Sequence, residues 1–348
     1  MSAISQQDKK FASLGLSKPT AGAEGVAKRE EKGGGEGINA YTHNLSSSSP
    51  SNPVLVLLHG YPQSSYMWRN LIPHLPPSAP LYVPDLPGYG ASAPLPDSFK
   101  FHDKLSVGKA VLGGLKSALA AESSGKEKEE IHVVLIGHDR GARVAHRLTV
   151  SKEEVGEFGV KVRGVCLVDI VPTSIQWAGA TSPHEIKTYW HWAFLANPHI
   201  AMPMITAYSG SKWCSTAINS WLGTSERGLS TFHSSSSLSV YASFMEDPSV
   251  IAATCKDYEA GAGVDVDAQK EDQEKGRKIG VPLLLVWSAG GLGKRFDVKG
   301  SWGEWVEDGV EIEGLALGGG IGHFGAEEAP EETAERVNAW LGKVVGEA

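Results

Sequence analysis

The chain has 348 residues, a formal net charge of −8 and a hydrophobic content of 41%. This length and apolar content suffice for one large core with an inserted module. The negative net charge argues against nucleic-acid binding, which needs a basic surface. Residues 1–14 hold no apolar signal-peptide segment, and no stretch reaches the roughly 18 apolar residues of a membrane span. We therefore expect a cytoplasmic protein that acts away from membranes and nucleic acids.

The first 36 residues are predicted to be a disordered tail. They are rich in Lys, Glu, Gly and Ser, and they end close to three consecutive glycines at positions 33–35. Such a segment buries too little apolar surface to offset the entropy of ordering it.

From there on, apolar runs and helical patterns alternate. Buried strands are predicted at residues 54–58, 81–84, 131–136, 164–168, 282–287 and 310–317, and helices at 101–121, 140–150 and 327–345. Continuous apolar strands separated by helices predict an α/β fold in which a mostly parallel sheet has helices on both faces. Residues 172–250 break the alternation, because they are rich in aromatic residues and histidine at helical spacing. They predict a helical cap inserted into a core made of residues 37–171 and 251–348.

The turn after the most apolar strand carries the sequence Gly137-His138-Asp139-Arg140-Gly141. A strand, a glycine-flanked turn and a helix form the nucleophile elbow of the α/β-hydrolase fold. Most elbows carry serine, which suits attack on an acyl carbon. A carboxylate such as Asp139 can instead displace a leaving group from an sp³ carbon and form an alkyl ester with the substrate.

Two more residues complete a candidate catalytic triad. Asp169 follows the strand predicted at 164–168, and His323 lies in the loop between the last strand and the last helix. The order nucleophile, acid, histidine is that of α/β-hydrolases, and all three positions are predicted at the carboxyl edge of the sheet. Considered singly, Asp169 could be a helix cap or a surface acid, and His323 an ordinary loop histidine.

A turn after the first predicted strand supplies a candidate oxyanion hole. In His59-Gly60-Tyr61-Pro62, the backbone N–H of Tyr61 can point at the nucleophile, as can that of Arg140. The alternative is an ordinary turn between a strand and a loop.

Arg140 and Arg143 suggest what the substrate carries. They lie three residues apart on one helical face, and guanidinium groups bind carboxylates in a bidentate manner. Beside Asp139 they favour a substrate with a carboxylate next to the reacting carbon. A surface pair, or a bridge to Asp139 or Asp169, would explain the same spacing.

The predicted cap concentrates aromatic hydrogen-bond donors in residues 189–194, and Tyr258 follows later. A departing halide needs several donors and little water, and Trp, His and Tyr supply donors on apolar side chains. An aromatic stripe can equally be part of a hydrophobic core.

Six motifs, which keep their order between residues 38 and 341, resemble the haloacetate dehalogenases, of which the fluoroacetate dehalogenases are the best-known members. They are Gly60-Tyr61-Pro62-Gln63, Asp85-Leu86-Pro87-Gly88-Tyr89-Gly90, Gly137-His138-Asp139-Arg140-Gly141-Ala142-Arg143, Leu167-Val168-Asp169-Ile170, Tyr189-Trp190-His191-Trp192 and Gly322-His323-Phe324.

The resemblance implies an α/β-hydrolase fold and a two-step dehalogenation. In it, Arg140 and Arg143 would hold the haloacetate carboxylate while Asp139 attacks the α-carbon. The halide would leave toward the donors His191, Trp192 and Tyr258. His323, oriented by Asp169, would then activate the water that hydrolyses the ester.

Two other functions remain open on the residues alone. An epoxide hydrolase uses the same triad and needs cap tyrosines, for which Tyr189, Tyr208, Tyr241 and Tyr258 are candidates. A non-catalytic ligand-binding protein on this fold is the other alternative. The sequence shows no metal cluster or nucleotide loop, so we expect a small-molecule substrate, no cofactor and a possible homodimer.

Overall fold

The computed structural model describes residues 2–19, 37–96, 102–122 and 130–346. In these ranges the chain forms a seven-stranded sheet with the order β1-β3-β2-β4-β5-β6-β7, in which only β1 is antiparallel to its neighbour. The strands are β1 (Ala40–His43), β2 (Val54–Leu58), β3 (Leu81–Pro84), β4 (Ile131–His138), β5 (Val160–Val168), β6 (Leu283–Ser288) and β7 (Ile312–Leu317). The predicted mostly parallel sheet of an α/β-hydrolase fold is confirmed.

Helices connect the strands. They are α1 (Ala3–Ser13), α2 (Lys104–Glu122), α3 (Arg140–Val150), α4 (Lys152–Gly156), α5 (Thr173–Ala178), α6 (Pro183–Thr188), α7 (Trp190–Leu195), α8 (Pro198–Tyr208), α9 (Gly210–Trp221), α10 (Glu226–His233), α11 (Ser237–Phe244), α12 (Pro248–Gly261), α13 (Val264–Lys275), α14 (Val298–Gly303), α15 (Gly325–Glu328) and α16 (Pro330–Gly346). Short 3-10 helices lie at Leu45–Ser47, Ser65–Arg69, Ile72–His74, Ser234–Ser236 and Leu292–Lys294.

The centre of the sheet is its most apolar part. Every residue of β2 and β4 is buried, because neighbouring strands and helices on both faces cover them. From β2 the chain passes to β3 on one side, and it then returns to β4 on the other side. The carboxyl ends of β2 and β4 therefore flank a topological switch point, where open α/β sheets form their ligand crevices.

The prediction of disorder for residues 1–36 is wrong for residues 3–13, which form α1. The side chain of Phe11 is fully buried, and its ring centroid lies 4.3 Å from that of Tyr41. Gln7 is buried as well, and its Nε2 donates to Oγ of Ser65 at 3.1 Å. The buried ring of Phe11 and the hydrogen-bonded amide of Gln7 thus hold this mostly polar helix against the rest of the protein. Residues 20–36 lie outside the described part of the chain.

The helices between β5 and β6, from α5 to α13, span residues 173–275, and we refer to them as the helical insert. The predicted cap at 172–250 is therefore helical, but the run of helices continues past residue 250. The division of the chain into core and cap at these two positions stays a prediction. Among the described helices, none is both long and apolar enough to cross a lipid bilayer.

Candidate active site

Asp139 occupies a strained turn at the switch point. It follows β4 and precedes α3, and its backbone has φ 47° and ψ −113°. Such angles are costly for a residue with a side chain, and they fit the sharp turn that lifts a nucleophile above the sheet. Burial would raise the pKa of the Asp139 carboxyl, but the positive charges of His323 and Arg140 outweigh burial and lower the pKa. The side chain is therefore an ionised carboxylate, the form that attacks carbon.

Two glycines allow the backbone to close around this turn. A Cβ atom on Gly60 would lie 2.6 Å from Cβ of Asp139, and one on Gly141 would lie 2.3 Å from the carbonyl oxygen of Leu58. Either side chain would force the loop after β2 away from the elbow. Glycine at these positions lets that loop approach the carboxylate.

The loop after β2 directs a backbone donor at Asp139, the predicted nucleophile. The N–H of Tyr61 donates to Oδ1 of Asp139 at 3.0 Å. His59 supports the loop, because its Nδ1 lies 2.9 Å from the carbonyl oxygen of Gly60 while its Nε2 accepts from the N–H of Leu86 at 2.9 Å. A preorganised N–H at this position can stabilise negative charge on an Asp139 ester during hydrolysis.

His323 and Asp169, the predicted base and its orienting acid, are hydrogen-bonded to each other. Nδ1 of His323 lies 2.6 Å from Oδ2 of Asp169, whose Oδ1 accepts from the N–H of Ser288 at 2.9 Å. Burial works to lower the pKa of His323, but the hydrogen bond and charge of Asp169 outweigh burial, so the pKa is raised. With Nδ1 held, Nε2 is the nitrogen left to accept a proton from water.

Glu328 fixes the loop that carries His323. Its carboxylate accepts from the N–H groups on either side of the histidine, that of Gly322 at 2.9 Å and that of Phe324 at 3.2 Å. The same carboxylate accepts from the N–H of Gly223, in the helical insert, at 3.0 Å. The position of the histidine loop is thus tied to the insert.

Arg140 is paired within the protein. Its Nε donates to Oδ2 of Asp257 at 2.7 Å and its Nη2 to the Asp257 carbonyl at 2.7 Å, and Lys104 contacts the same carboxylate. Burial opposes the charge on Arg140, but Asp257 outweighs burial and raises the pKa of Arg140. The guanidinium carbon lies 4.2 Å from the ring centroid of Tyr258, so Arg140 also supports that ring.

Arg143 hydrogen-bonds only neutral groups and forms no ion pair within the described residues. Its terminal nitrogens donate to the carbonyl of Val171 at 3.1 Å, to Oγ1 of Thr173 at 2.8 Å and to Oε1 of Gln176 at 2.5 Å, all of which are neutral groups. Its buried Nε has no partner among the described residues. Burial and the charge of Arg140 lower the pKa of Arg143 to about 10, so it remains protonated at neutral pH.

Three neutral donors line the cavity that also holds Asp139. The ring centroid of Tyr258 lies 6.2 Å from those of His191 and Trp192. In the described part of the chain, Trp192 Nε1 and Tyr258 Oη donate to no protein group. Burial lowers the pKa of His191 to about 3 and raises the pKa of Tyr258 well above its usual value, so both stay uncharged.

These groups line a cavity of about 610 Å³. The residues of the predicted site that line it are Tyr61, Asp139, Arg143, Asp169, His191, Trp192, Tyr258 and His323. The structure thus brings together the predicted triad, the donors and one of the two arginines. The guanidinium of Arg140 is instead turned toward Asp257.

Sequence reasoning missed Asp257 and Gln176, which hold the two arginines. Asp257 stands directly before Tyr258, and that position next to a candidate site residue was a signal for it. Gln176 carried no local signal, because its approach to Arg143 depends on how α5 packs over α3.

The matched profile of the Alpha/beta hydrolase family covers residues 55–336, so the chain belongs to that family and is a hydrolase on this fold. The chain is 27% identical to a fluoroacetate dehalogenase from Burkholderia sp., over 84% of this chain and 88% of that protein. It is 28% identical to a soluble epoxide hydrolase from Corynebacterium sp. strain C12, over 84% of this chain and 91% of that one. The chain is also similar to a solved structure of an α/β hydrolase from Nostoc sp. PCC 7120. The two sequences are 32% identical, the TM-score is 0.69, and the match covers 87% of this chain and 94% of that chain. The resemblance to the fluoroacetate dehalogenases is confirmed at this level of similarity.

Proposed function

We propose that this hydrolase removes halide from small 2-haloacids through an alkyl ester on Asp139. The observation that carries the proposal is one cavity holding an ionised Asp139, the unpaired cation Arg143 and three neutral donors. An anion binder, a nucleophile and a halide site are what displacement on such a substrate requires. The similarity to a fluoroacetate dehalogenase supports the same reaction.

In the first step the substrate carboxylate binds Arg143, and an oxygen of Asp139 attacks the α-carbon. A C–O bond forms as the C–halogen bond breaks, and the halide leaves with the bonding electron pair toward His191, Trp192 and Tyr258. Fluoride is strongly hydrated, so preorganised donors in a dry pocket must replace its water shell.

In the second step His323 takes a proton from water, and the hydroxide oxygen adds to the carbonyl carbon of Asp139. The N–H groups of Tyr61 and Arg140 stabilise the resulting oxyanion. The tetrahedral intermediate then breaks its ester C–O bond, and the departing 2-hydroxyacid oxygen receives the proton from His323. Asp139 releases a second proton and returns to its carboxylate form. The net change is water and haloacid to hydroxyacid, halide and a proton.

Arg140 takes a different part from the one the motif implied. Because its guanidinium is bound to Asp257, we assign binding of the substrate carboxylate to Arg143. Arg140 contributes its backbone N–H, its support of Tyr258 and its positive charge beside Asp139.

The test is halide release from fluoroacetate and chloroacetate. The wild-type protein is expected to release halide, and Asp139→Asn is expected to release none because the amide is a poor nucleophile. Asp267→Asn, at an exposed position on α13, is the matched control and should behave as the wild type. Halide release that persists in Asp139→Asn would contradict the proposal.

Epoxide hydrolysis is the second candidate, because Tyr189 and Tyr258 both line the cavity and could protonate an epoxide oxygen. The other two candidate tyrosines are placed elsewhere, since Tyr241 donates to Glu327 at 2.8 Å and Tyr208 is exposed. The similarity to a soluble epoxide hydrolase also favours this reaction. Diol formation from styrene oxide without halide release from any haloacid would replace the first proposal by this one.

A further inference from the structure

The cavity is larger than a haloacetate needs. Its volume of about 610 Å³ lies within the roughly 300–1,000 Å³ of cavities that hold drug-sized ligands, whereas haloacetates are among the smallest organic acids. Beyond the triad and donors it extends along the segment after β6, where Gly290, Leu292, Lys294 and Arg295 line it. A substrate longer than a haloacetate can extend toward this segment.

Arg295 has one terminal nitrogen that can donate to a ligand in the cavity. The face of its guanidinium stacks on Tyr189, with the guanidinium carbon 3.8 Å from the ring centroid. Its Nε donates to Oε2 of Glu185 at 3.1 Å. Within the described residues, Nη1 and Nη2 donate to no protein group. Nη2 is buried, so Nη1 is the nitrogen that a ligand in the cavity can reach.

The charge around Arg295 favours an anion. Glu185 balances one positive charge, but the neighbouring Lys294 is exposed and has no ion-pair partner in the described part of the chain. Arg295 and His323 line the same cavity, so a ligand bound near the histidine can reach Arg295.

We propose, building on the proposed function, that Arg295 and Lys294 form a second anion subsite, and that the substrates are 2-halo dicarboxylic acids such as 2-chlorosuccinate. One carboxylate binds Arg143 beside the reacting carbon, and the other accepts a hydrogen bond from Nη1 of Arg295. A charge-assisted hydrogen bond between a guanidinium N–H and a carboxylate oxygen is short and strong. The covalent steps are unchanged, so 2-chlorosuccinate and water give 2-hydroxysuccinate, chloride and a proton.

Ligand binding to the Asp139→Asn protein tests the subsite without turnover. Succinate and butyrate have the same chain length and differ in the second carboxylate, and quenching of the fluorescence of Trp192 and Trp221 reports occupancy of the cavity that both line. Succinate is expected to bind at least about tenfold more tightly than butyrate, as one additional charge-assisted pair predicts. Equal affinities would overturn the subsite.

Variants at the subsite locate the effect. In the Asp139→Asn background, Arg295→Gln is expected to remove the preference for succinate, and Arg295→Lys to keep part of it. Lys299→Gln, an exposed position on α14 outside the cavity, is the matched control and should keep the whole preference. A preference that survives in Arg295→Gln would contradict the assignment, and butyrate affinity in the same variant shows that the cavity is intact.

The outcome for the subsite can be separated from the outcome for the proposed function. Halide release from chloroacetate together with equal binding of succinate and butyrate would refute the subsite and leave the dehalogenase proposal standing. A preference for succinate that depends on Arg295, without halide release from chloroacetate or 2-chlorosuccinate, would uphold the anion subsite and refute the dehalogenase.

Discussion

Arg140 and Arg143 lie three residues apart on α3, but their guanidinium groups have different partners. Asp257 neutralises Arg140, whereas Arg143 meets only neutral oxygens. Burying a guanidinium that forms no ion pair is costly. Under the proposed function, a substrate carboxylate bound at Arg143 would offset this cost.

Catalysis should depend on the protonation of His323. The second step needs neutral imidazole, and the pKa of His323 is raised above its ordinary value of 6.5, so this step should speed up as pH rises through the raised pKa. Asp169→Asn removes the charge that raises the pKa, and it should shift this acidic limb to lower pH while slowing hydrolysis. Single-turnover ester decay measured against pH checks this, and an acidic limb that does not move in Asp169→Asn would contradict it.

The sequence predicted the residues of the site better than their partners. Asp139, Asp169 and His323 could be placed because each follows a strand, and strand ends meet at one edge of a parallel sheet. The pairing of Arg140 could not be predicted, because Asp257 lies 117 residues away on α12 and meets α3 only after the insert has packed.

At the scale of elements, Asp257 joins three helices. From α12 it binds Arg140 on α3 and Lys104 on α2, and all three side chains are buried. The carboxylate therefore holds the helical insert against the sheet domain next to the elbow.

Loss of this carboxylate should destabilise the protein. Asp257→Asn leaves the buried Arg140 without a counter-charge, whereas Lys104 keeps its ion pair with Asp265 at 3.1 Å. We therefore expect the free energy of unfolding to fall by about 3–5 kcal/mol. Glu271→Gln is the control, since its ion pair with Lys275 is exposed and should contribute little. Urea denaturation measures both variants, and similar small losses would show that Asp257 is not structurally important.

The bounds of some strands and helices could be predicted more accurately than those of others, and the reasons are physical. Residues 54–58 and 140–150 were predicted at their observed bounds, because a continuous apolar run and a helix after a glycine turn are strong local signals. β1 was missed, since Ala40–His43 is a short edge strand without an apolar run. β5 begins earlier than predicted, at Val160, because its first residues include the charged Lys161 and Arg163.

At the scale of the whole molecule, α1 connects the amino terminus to both parts of the structure. Phe11 packs in the core beside Tyr41 and Tyr66, while Gln6 Nε2 donates to the carbonyl of Ser235 in the helical insert at 2.9 Å. A segment whose composition suggested a tail is therefore part of the folded body.

Removal of this anchor should lower global stability. Phe11→Ala is expected to reduce the free energy of unfolding by about 3–5 kcal/mol, as for other buried aromatic side chains. Lys9→Ala, on the exposed side of the same helix, is the control and should have little effect. An unchanged unfolding midpoint in Phe11→Ala would show that α1 is not stably docked.

The central claim is that Asp139 forms an alkyl ester with a 2-haloacid, and mass spectrometry of His323→Ala after incubation with chloroacetate tests it most directly. Without the histidine that activates water, the ester should persist, and the peptide containing Asp139 should gain a carboxymethyl group without chlorine. The double variant Asp139→Asn/His323→Ala should remain unmodified. An unmodified Asp139 peptide in His323→Ala, under conditions in which the wild type releases chloride, would contradict the account.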